Sequence, residues 1–76
     1  MSESADRLSI LRDRMRTAEI DGLVVSSPSN IFYLSGFRGS SGALLITEQR
    51  SLLFSDFRYR LQAREQAPGC EFVEVP

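Results

Sequence analysis

The segment Asp56-Phe57-Arg58-Tyr59-Arg60 carries the side chains of this sequence that are best suited to binding chemistry. Arg58 could hold a carboxylate in a bidentate fork, with Tyr59 as a hydrogen-bonding wall beside it. The simpler interpretation is a helix cap, in which the Asp56 carboxylate accepts N–H bonds from a first helical turn. Asp56 is the only carboxylate in the segment, so paired-acid catalysis and a two-metal site lack local partners. The pattern favours the cap and leaves carboxylate binding as the alternative.

A second candidate is the glycine-rich stretch Gly36–Gly42, which has the order Gly-Phe-Arg-Gly-Ser-Ser-Gly. It lacks the spacing of a dinucleotide fingerprint and the Lys-Ser/Thr ending of a phosphate loop. It also precedes a predicted strand, whereas phosphate loops lead into a helix N-terminus. Its backbone N–H groups could still form a small anion nest. A tight connecting loop is favoured, and a nucleotide-binding fragment is the least favoured function.

Six aromatic residues interleaved with arginines could form a platform on which nucleic-acid bases stack. They are Phe32, Tyr33, Phe37, Phe54, Phe57 and Tyr59, with Arg38, Arg58 and Arg60 among them. Nine arginines against ten acidic residues give a net charge of −1, without the basic surplus that non-specific nucleic-acid binding requires. These aromatic residues are therefore predicted to form a core and its rim, and no nucleic-acid partner is expected.

The chain contains no histidine and a single cysteine, Cys70. These counts exclude a zinc site built from several nitrogen or sulfur ligands, a nucleophile with a histidine base, and an intrachain disulfide. Cys70 is predicted to be a small packing residue rather than a reactive thiol. One free thiol fits a reducing compartment, and no apolar run approaches the roughly 20 residues of a membrane helix. A cytoplasmic protein without a membrane partner is expected.

Apolar residues at helical spacing predict three helices, each with residues placed to cap or stop it. The first helix has Leu8, Leu11, Met15 and Ala18 on one face, a cap at Ser4 or Asp6 and a stop at Asp21-Gly22. The second helix is a short turn over Ile31–Leu34, capped by Ser29 or Asn30. The third helix covers Arg58–Gln66 and ends at Pro68-Gly69.

Four short apolar runs predict strands between these helices. They are a buried strand at Leu23–Val25, a hairpin made of Ala43–Thr47 and Ser51–Phe54, and a last strand over Phe72–Val75. Strands separated by helices favour an α/β fold with a mixed sheet of about four strands and flanking helices. Since no helix follows the last strand within these 76 residues, one face of the sheet is expected to be uncovered. An incomplete domain, or a module that docks onto another surface, is the resulting expectation.

Several stretches in order resemble the creatinase-type N-terminal domain that precedes the catalytic domain in Xaa-Pro aminopeptidases, Xaa-Pro dipeptidases and creatinases. They are Arg7–Met15, Asp21–Val25, Ser27–Phe37 (family-like SPxNIxYLTGF), Gly39–Thr47 (GSxGxLLVT), Leu53–Tyr59 (LFTDxRY) and Gln62–Ala67. The proline-peptidase branch fits better than creatinase because of the glycine loop and the segment that begins at Asp56. A small departure is Glu19, which stands where a glycine is common at the end of the first helix.

The resemblance implies a mixed α/β domain of ribonuclease H-like type, with residues 1–76 forming a single partial domain that is not catalytic alone. The reaction in this family takes place in a C-terminal pita-bread domain, which holds two divalent metals (manganese, cobalt or zinc). The N-terminal domain caps the substrate cleft and helps to build the oligomer. By analogy, Phe37 and Arg38, followed by Arg58 and Tyr59, are the candidates for contact with the cleft or with a neighbouring subunit.

Two functions of different classes are compatible with these observations. The first is the N-terminal, non-catalytic domain of a cytoplasmic, homo-oligomeric Xaa-Pro aminopeptidase or dipeptidase, which meets proline-containing peptides through the full protein. The alternative is a stand-alone protein-interaction module of the same fold without peptidase activity. Metal ligands encoded downstream of residue 76 would favour the peptidase, and their absence would favour the module.

Overall fold

The computed structural model describes residues 3–76 and has the predicted order of elements. These elements are α1 (Glu3–Thr17), β1 (Gly22–Val25), α2 (Pro28–Ser35), β2 (Ala43–Thr47), β3 (Ser51–Ser55), a 3-10 turn (Phe57–Tyr59), α3 (Arg60–Gln66) and β4 (Glu71–Glu74). The strands form one sheet in the order β1-β2-β3-β4, with β3 and β4 parallel and the other two pairs antiparallel. The predicted mixed four-stranded sheet is confirmed.

One face of the sheet forms the hydrophobic core together with the three helices. Strand alternation places Leu44, Ile46 and Leu53 on this face, each with at most 1% of its surface exposed. The helices contribute Leu8 and Met15 from α1, Ile31 from α2, and Ala63 with the adjoining Ala67 from α3, while Val25 of β1 and Phe37 of the loop before β2 complete the buried apolar set. All three helices therefore pack on the same face.

The opposite face of the sheet is apolar and has no helix from residues 3–76 against it. It presents Val24, Leu45, Leu52, Phe54 and Val73, which the strand registers place side by side. Val24 is 68% exposed whereas Val25 is buried, so β1 is half-buried and the prediction of a buried strand holds for one of its faces only. The reason is that β1 lies at the edge of the sheet and has only one of its faces covered.

Two predicted helix caps are also wrong, because both helices begin earlier than their apolar residues suggested. Ser4 and Asp6 lie inside α1, whose first turn carries acidic residues that favour a helix N-terminus. In α2, Ser27 holds the N-cap position and Pro28 follows at the start of the helix, ahead of Ser29 and Asn30. Proline suits this position because its missing N–H would have no partner there and its φ is already helical.

Helix α1 ends in a Schellman motif with a glutamate in the left-handed position. The Ile20 N–H donates to the Met15 carbonyl at 2.8 Å, and the Glu19 N–H donates to the Arg16 carbonyl at 3.2 Å. Glu19 has a φ of 58°, in a region that glycine adopts far more readily than other residues. A glutamate at this position therefore has a conformational cost at this helix end.

Arg12 connects α1 to the β2–β3 hairpin. Its Nε donates to the Thr47 carbonyl at 2.8 Å, while Nη2 donates to the Arg50 carbonyl at 3.0 Å and to Ser51 Oγ at 2.7 Å. Ser51 is buried, so this guanidinium supplies a hydrogen bond that water cannot readily replace.

Candidate functional site

The glycine loop between α2 and β2 is folded around the ring of Phe37. This side chain is only 1% exposed, so the structure places it in the core rather than on a contact surface. A Cβ added to Gly39 would lie 2.1 Å from the ring, which means that the chain can cross over Phe37 only at a glycine. The predicted loop is confirmed, and the surface that it offers is formed by the neighbours of Phe37.

The start of the loop also requires glycine. Gly36 follows α2 with a φ of 88°, and its N–H donates to the Phe32 carbonyl at 2.8 Å. A Cβ at this position would lie 2.6 Å from the Gln66 carbonyl oxygen at the end of α3. The loop is therefore held tightly between α2 and α3 at its first residue.

Tyr59 joins the loop to the 3-10 turn. Its ring meets the Phe37 ring edge to face, with centroids 5.8 Å apart and an interplanar angle of 86°. Its hydroxyl and that of Ser40 share a hydrogen bond of 2.8 Å. Because an aromatic contact and a hydrogen bond act together, the loop and the turn form one surface.

Arg58 is engaged by its own neighbour, Asp56. One carboxylate oxygen of Asp56 accepts from the Arg58 backbone N–H at 2.9 Å and from Nε at 3.1 Å, and the other accepts from Nη2 at 2.9 Å. The predicted Asp56 cap is therefore confirmed. The hydrogen bonds from the Arg58 side chain lower the pKa of the Asp56 carboxyl, and the same contact raises the pKa of Arg58. The Arg58 guanidinium, which could have bound an external carboxylate, is therefore already bound to the carboxylate of Asp56.

Arg38 lies on the loop with an exposed side chain and a fixed backbone. Its backbone N–H donates to Gln66 Oε1 at 2.8 Å, and its guanidinium carbon lies 4.7 Å from the centroid of the Phe32 ring. Arg38 and Phe32 border a shallow cavity of about 330 Å³, whose other lining residues are Pro28, Ser29 and Gly39. No carboxylate within residues 3–76 forms an ion pair with this guanidinium.

The structure thus brings the four candidate residues into one loop-and-turn unit, which consists of the glycine loop Gly36–Gly42 and the 3-10 turn Phe57–Tyr59. The four residues have different roles in this unit. Phe37 supports the unit from below, Tyr59 joins its two parts, and Arg58 and Arg38 lie at its exposed surface. Sequence reasoning missed Ser40 and Gln66 as the partners that hold this unit together. Ser40 bonds Tyr59, 19 residues away along the chain, and Gln66 bonds Arg38, 28 residues away. No local sequence pattern indicates pairs at such separations.

The remaining chemistry of the described residues is limited. Among residues 3–76 no group of three or more histidine, cysteine, aspartate or glutamate side chains could hold a metal ion. The described helices include none that is long and apolar enough to cross a membrane.

Burial raises the pKa of the Cys70 thiol, an effect partly opposed by the charge of Arg12. This thiol is therefore less readily ionised than an exposed cysteine.

Comparison with known proteins identifies the family. Residues 7–76 match the model of the Creatinase/Prolidase N-terminal domain, and the chain belongs to this family. Among curated proteins, it is 37% identical over 68 residues to the uncharacterized peptidase YqhT of Bacillus subtilis, a match that covers 90% of this chain and 19% of that protein. The resemblance drawn from the sequence motifs is confirmed.

Solved structures agree with this assignment. A Xaa-Pro aminopeptidase structure from Streptococcus pyogenes superposes with a TM-score of 0.91 at 32% identity, covering 96% of this chain and 57% of that one. The Xaa-Pro dipeptidase from Bacillus anthracis superposes with a TM-score of 0.88 at 33% identity, covering 95% of this chain and 20% of that one. The chain thus spans about a fifth of the length of the two Bacillus proteins.

Proposed function

We propose that this chain acts as the non-catalytic N-terminal domain of a Xaa-Pro peptidase, together with a C-terminal catalytic domain of pita-bread fold. The observation that carries the proposal is the match of residues 7–76 to the Creatinase/Prolidase N-terminal domain, with a fold that superposes over 95% of this chain on a fifth of a Xaa-Pro dipeptidase chain. The two divalent metals of such a reaction, whether manganese, cobalt or zinc, would be held by the catalytic domain. Residues 3–76 lack a group of side chains that could bind them.

The uncovered face of the sheet supports the proposal that this chain packs against further polypeptide. Four strands about 4.8 Å apart and four to five residues long give a face of roughly 300 Å². A stable interface between separate proteins takes about 800 Å² from each partner. A face of this size suits a tethered segment, which does not lose the translational freedom of a separate molecule. We propose that the rest of the same polypeptide covers it, and that the whole peptidase is a cytoplasmic homo-oligomer.

The loop-and-turn unit is the proposed contribution of this chain to the substrate cleft. Arg38, Arg58 and Tyr59 lie on short segments that are held by contacts inside the domain, so their positions are set before a substrate arrives. Such a surface can complete a cleft that is built mainly by another domain. In this proposal Phe37 acts indirectly, by supporting the loop from the core.

Two activity measurements test the proposal. The purified chain is expected to release no alanine from Ala-Pro with manganese, cobalt or zinc added. A chimera in which residues 7–76 replace the matching segment of the Bacillus anthracis dipeptidase is expected to hydrolyse Ala-Pro, whereas the same enzyme without that segment is expected to be inactive. Hydrolysis by the chain alone, or a folded but inactive chimera, would contradict the proposal; the inactive chimera would favour a stand-alone interaction module.

A further inference from the structure

Three side chains from outside the glycine loop hold it by hydrogen bonds, each at a different loop residue. The bonds run from the Arg38 backbone N–H to Gln66 Oε1 at 2.8 Å, between the Ser40 and Tyr59 hydroxyls at 2.8 Å, and from Ser55 Oγ to the Ser41 carbonyl at 2.6 Å. Of these bonds, the one to Gln66 holds the residue that carries the exposed guanidinium of the loop.

Gln66 is able to hold the loop because its own position is fixed. It is the last residue of α3 and directly precedes Ala67, which is 2% exposed. Its Oε1 also accepts from Gln62 Nε2 at 3.2 Å, one turn earlier on the helix. Its backbone carbonyl oxygen lies against Gly36, where an added Cβ would be only 2.6 Å away. Gln66 therefore contacts the start of the loop through its main chain and Arg38 through its side chain.

Arg38 depends on this bond for a single position. Its guanidinium forms no ion pair within residues 3–76, and its described side-chain contact is the Phe32 ring, whose centroid lies 4.7 Å from the guanidinium carbon. The contact with the ring leaves the N–H groups of the guanidinium available to other partners. Because Arg38 directly precedes Gly39, and glycine restricts the backbone least, the main chain needs a further contact to hold one conformation.

We infer that Gln66 is a positioning residue, whose side-chain oxygen sets the place of the Arg38 guanidinium on the surface that this chain contributes to the substrate cleft. This inference rests on the proposed function, because it names the residue that controls the same surface. Gln66 is half-buried and acts through Arg38, so it is not a catalytic residue. Without its bond, the assembled enzyme has to supply the free energy of holding Arg38, which for one neutral hydrogen bond corresponds to a factor of about 5 in an equilibrium constant.

The kinetic test is a double-mutant cycle in the chimera. Gln66→Met keeps the length of the side chain and removes its acceptor, so it is expected to lower kcat/KM for Ala-Pro about 5-fold. In the variant that also carries Arg38→Ala, Gln66→Met is expected to cause no further loss, because its effect passes through the missing guanidinium. A merely structural role would cause the same loss in both backgrounds. Glu65→Met is the matched control, since Glu65 is exposed on the same helix and forms no ion pair within residues 3–76.

A second measurement needs no catalytic domain. Hydrogen exchange of the Arg38 backbone N–H is followed in the purified chain by nuclear magnetic resonance. Gln66→Met is expected to speed this exchange about 5-fold, whereas the Ile20 N–H, which donates to the Met15 carbonyl, is expected to exchange as in the wild type.

The outcomes of the two measurements separate this inference from the proposed function. Unchanged exchange at Arg38, full activity of the Arg38→Ala chimera, or an equal loss of kcat/KM with and without Arg38→Ala would overturn the inference. An inactive wild-type chimera together with faster exchange at Arg38 in Gln66→Met would count against the peptidase proposal and would support the positioning of Arg38 by Gln66.

Discussion

The buried ring of Phe37 contacts both the ring of Tyr59 and the backbone of Gly39. The two rings meet edge to face, and the Gly39 Cα is close enough that a Cβ there would lie 2.1 Å from the Phe37 ring. This relationship explains why the glycine-rich sequence forms a loop of defined shape. The packing of Phe37 in the core determines the shape of the loop, and thereby the positions of the exposed loop residues.

A methyl group at Gly39 should therefore disturb the whole unit. Gly39→Ala is expected to lower the free energy of unfolding by about 1–3 kcal/mol, because Phe37 would have to leave its packed position. Urea unfolding followed by circular dichroism measures this change. Gly69→Ala is the control, since no atom lies within 4 Å of a Cβ at Gly69. Equal stability of the two variants would contradict the packing described for Phe37.

The left-handed conformation of Glu19 can be relieved by a single substitution. Glu19→Gly is expected to raise the free energy of unfolding by about 1 kcal/mol, because glycine adopts a positive φ without a steric penalty. Glu19→Ala removes the same charge but keeps the penalty, so it should leave stability nearly unchanged. A similar gain for both variants in thermal unfolding would show that charge, and not backbone conformation, is the cause.

Arg12 should be important for attaching α1 to the hairpin. Arg12→Ala is expected to cost about 2 kcal/mol, since it leaves the buried Ser51 hydroxyl and two carbonyls without their charged donor. Arg12→Lys should not fully restore stability, because one ammonium cannot reach all three acceptors in the geometry of a guanidinium. Arg14→Ala, on the same helix and without an ion pair in residues 3–76, is the control. Unfolding of the three variants in urea distinguishes these outcomes.

The Asp56–Arg58 pair predicts a dependence of stability on pH. Because the pKa of Asp56 is lowered in the folded chain, its contribution is present above the unfolded pKa and is lost as the pH falls through the lower, folded value. Asp56→Asn retains a capping side chain but cannot ionise, so its stability should decrease less steeply in acid. Arg58→Gln should reduce the acid dependence in the same way. Identical acid-unfolding curves for the wild type and both variants would contradict this pairing.

The apolar sheet face should make the isolated chain associate weakly with itself. Val24→Lys is expected to reduce association, measured by sedimentation at several concentrations, with less than about 1 kcal/mol change in stability because the position is exposed. Ile10→Lys is a matched control, since Ile10 is an exposed aliphatic residue on α1, away from this face. A wild-type chain that stays monomeric at every concentration would contradict this prediction.

Local patterns were sufficient to predict the order of elements and the Asp56 cap, because each depends on residues close together in the chain. The alternation of strands with helices along the chain was sufficient to predict the mixed sheet. The errors at Ser4, Asp6, Ser29 and Asn30 arose because a helix can begin before its first apolar residue. The pairs Ser40–Tyr59 and Arg38–Gln66 were not predictable, since only the packing of the 3-10 turn and of α3 against the loop brings them together. The unpaired state of Arg38 likewise depends on where every carboxylate lies in the folded chain.

We propose that the glycine loop faces the catalytic domain, and photocrosslinking tests this orientation directly. Benzoylphenylalanine is placed at Ser41, an exposed loop position, in the active chimera, and the linked peptides are identified by mass spectrometry. This orientation predicts crosslinks to residues around the catalytic metal site, of the same or a neighbouring subunit, that decrease when a non-hydrolysed substrate analogue is bound. Crosslinks only within residues 7–76, or crosslinks unaffected by the analogue, would contradict it.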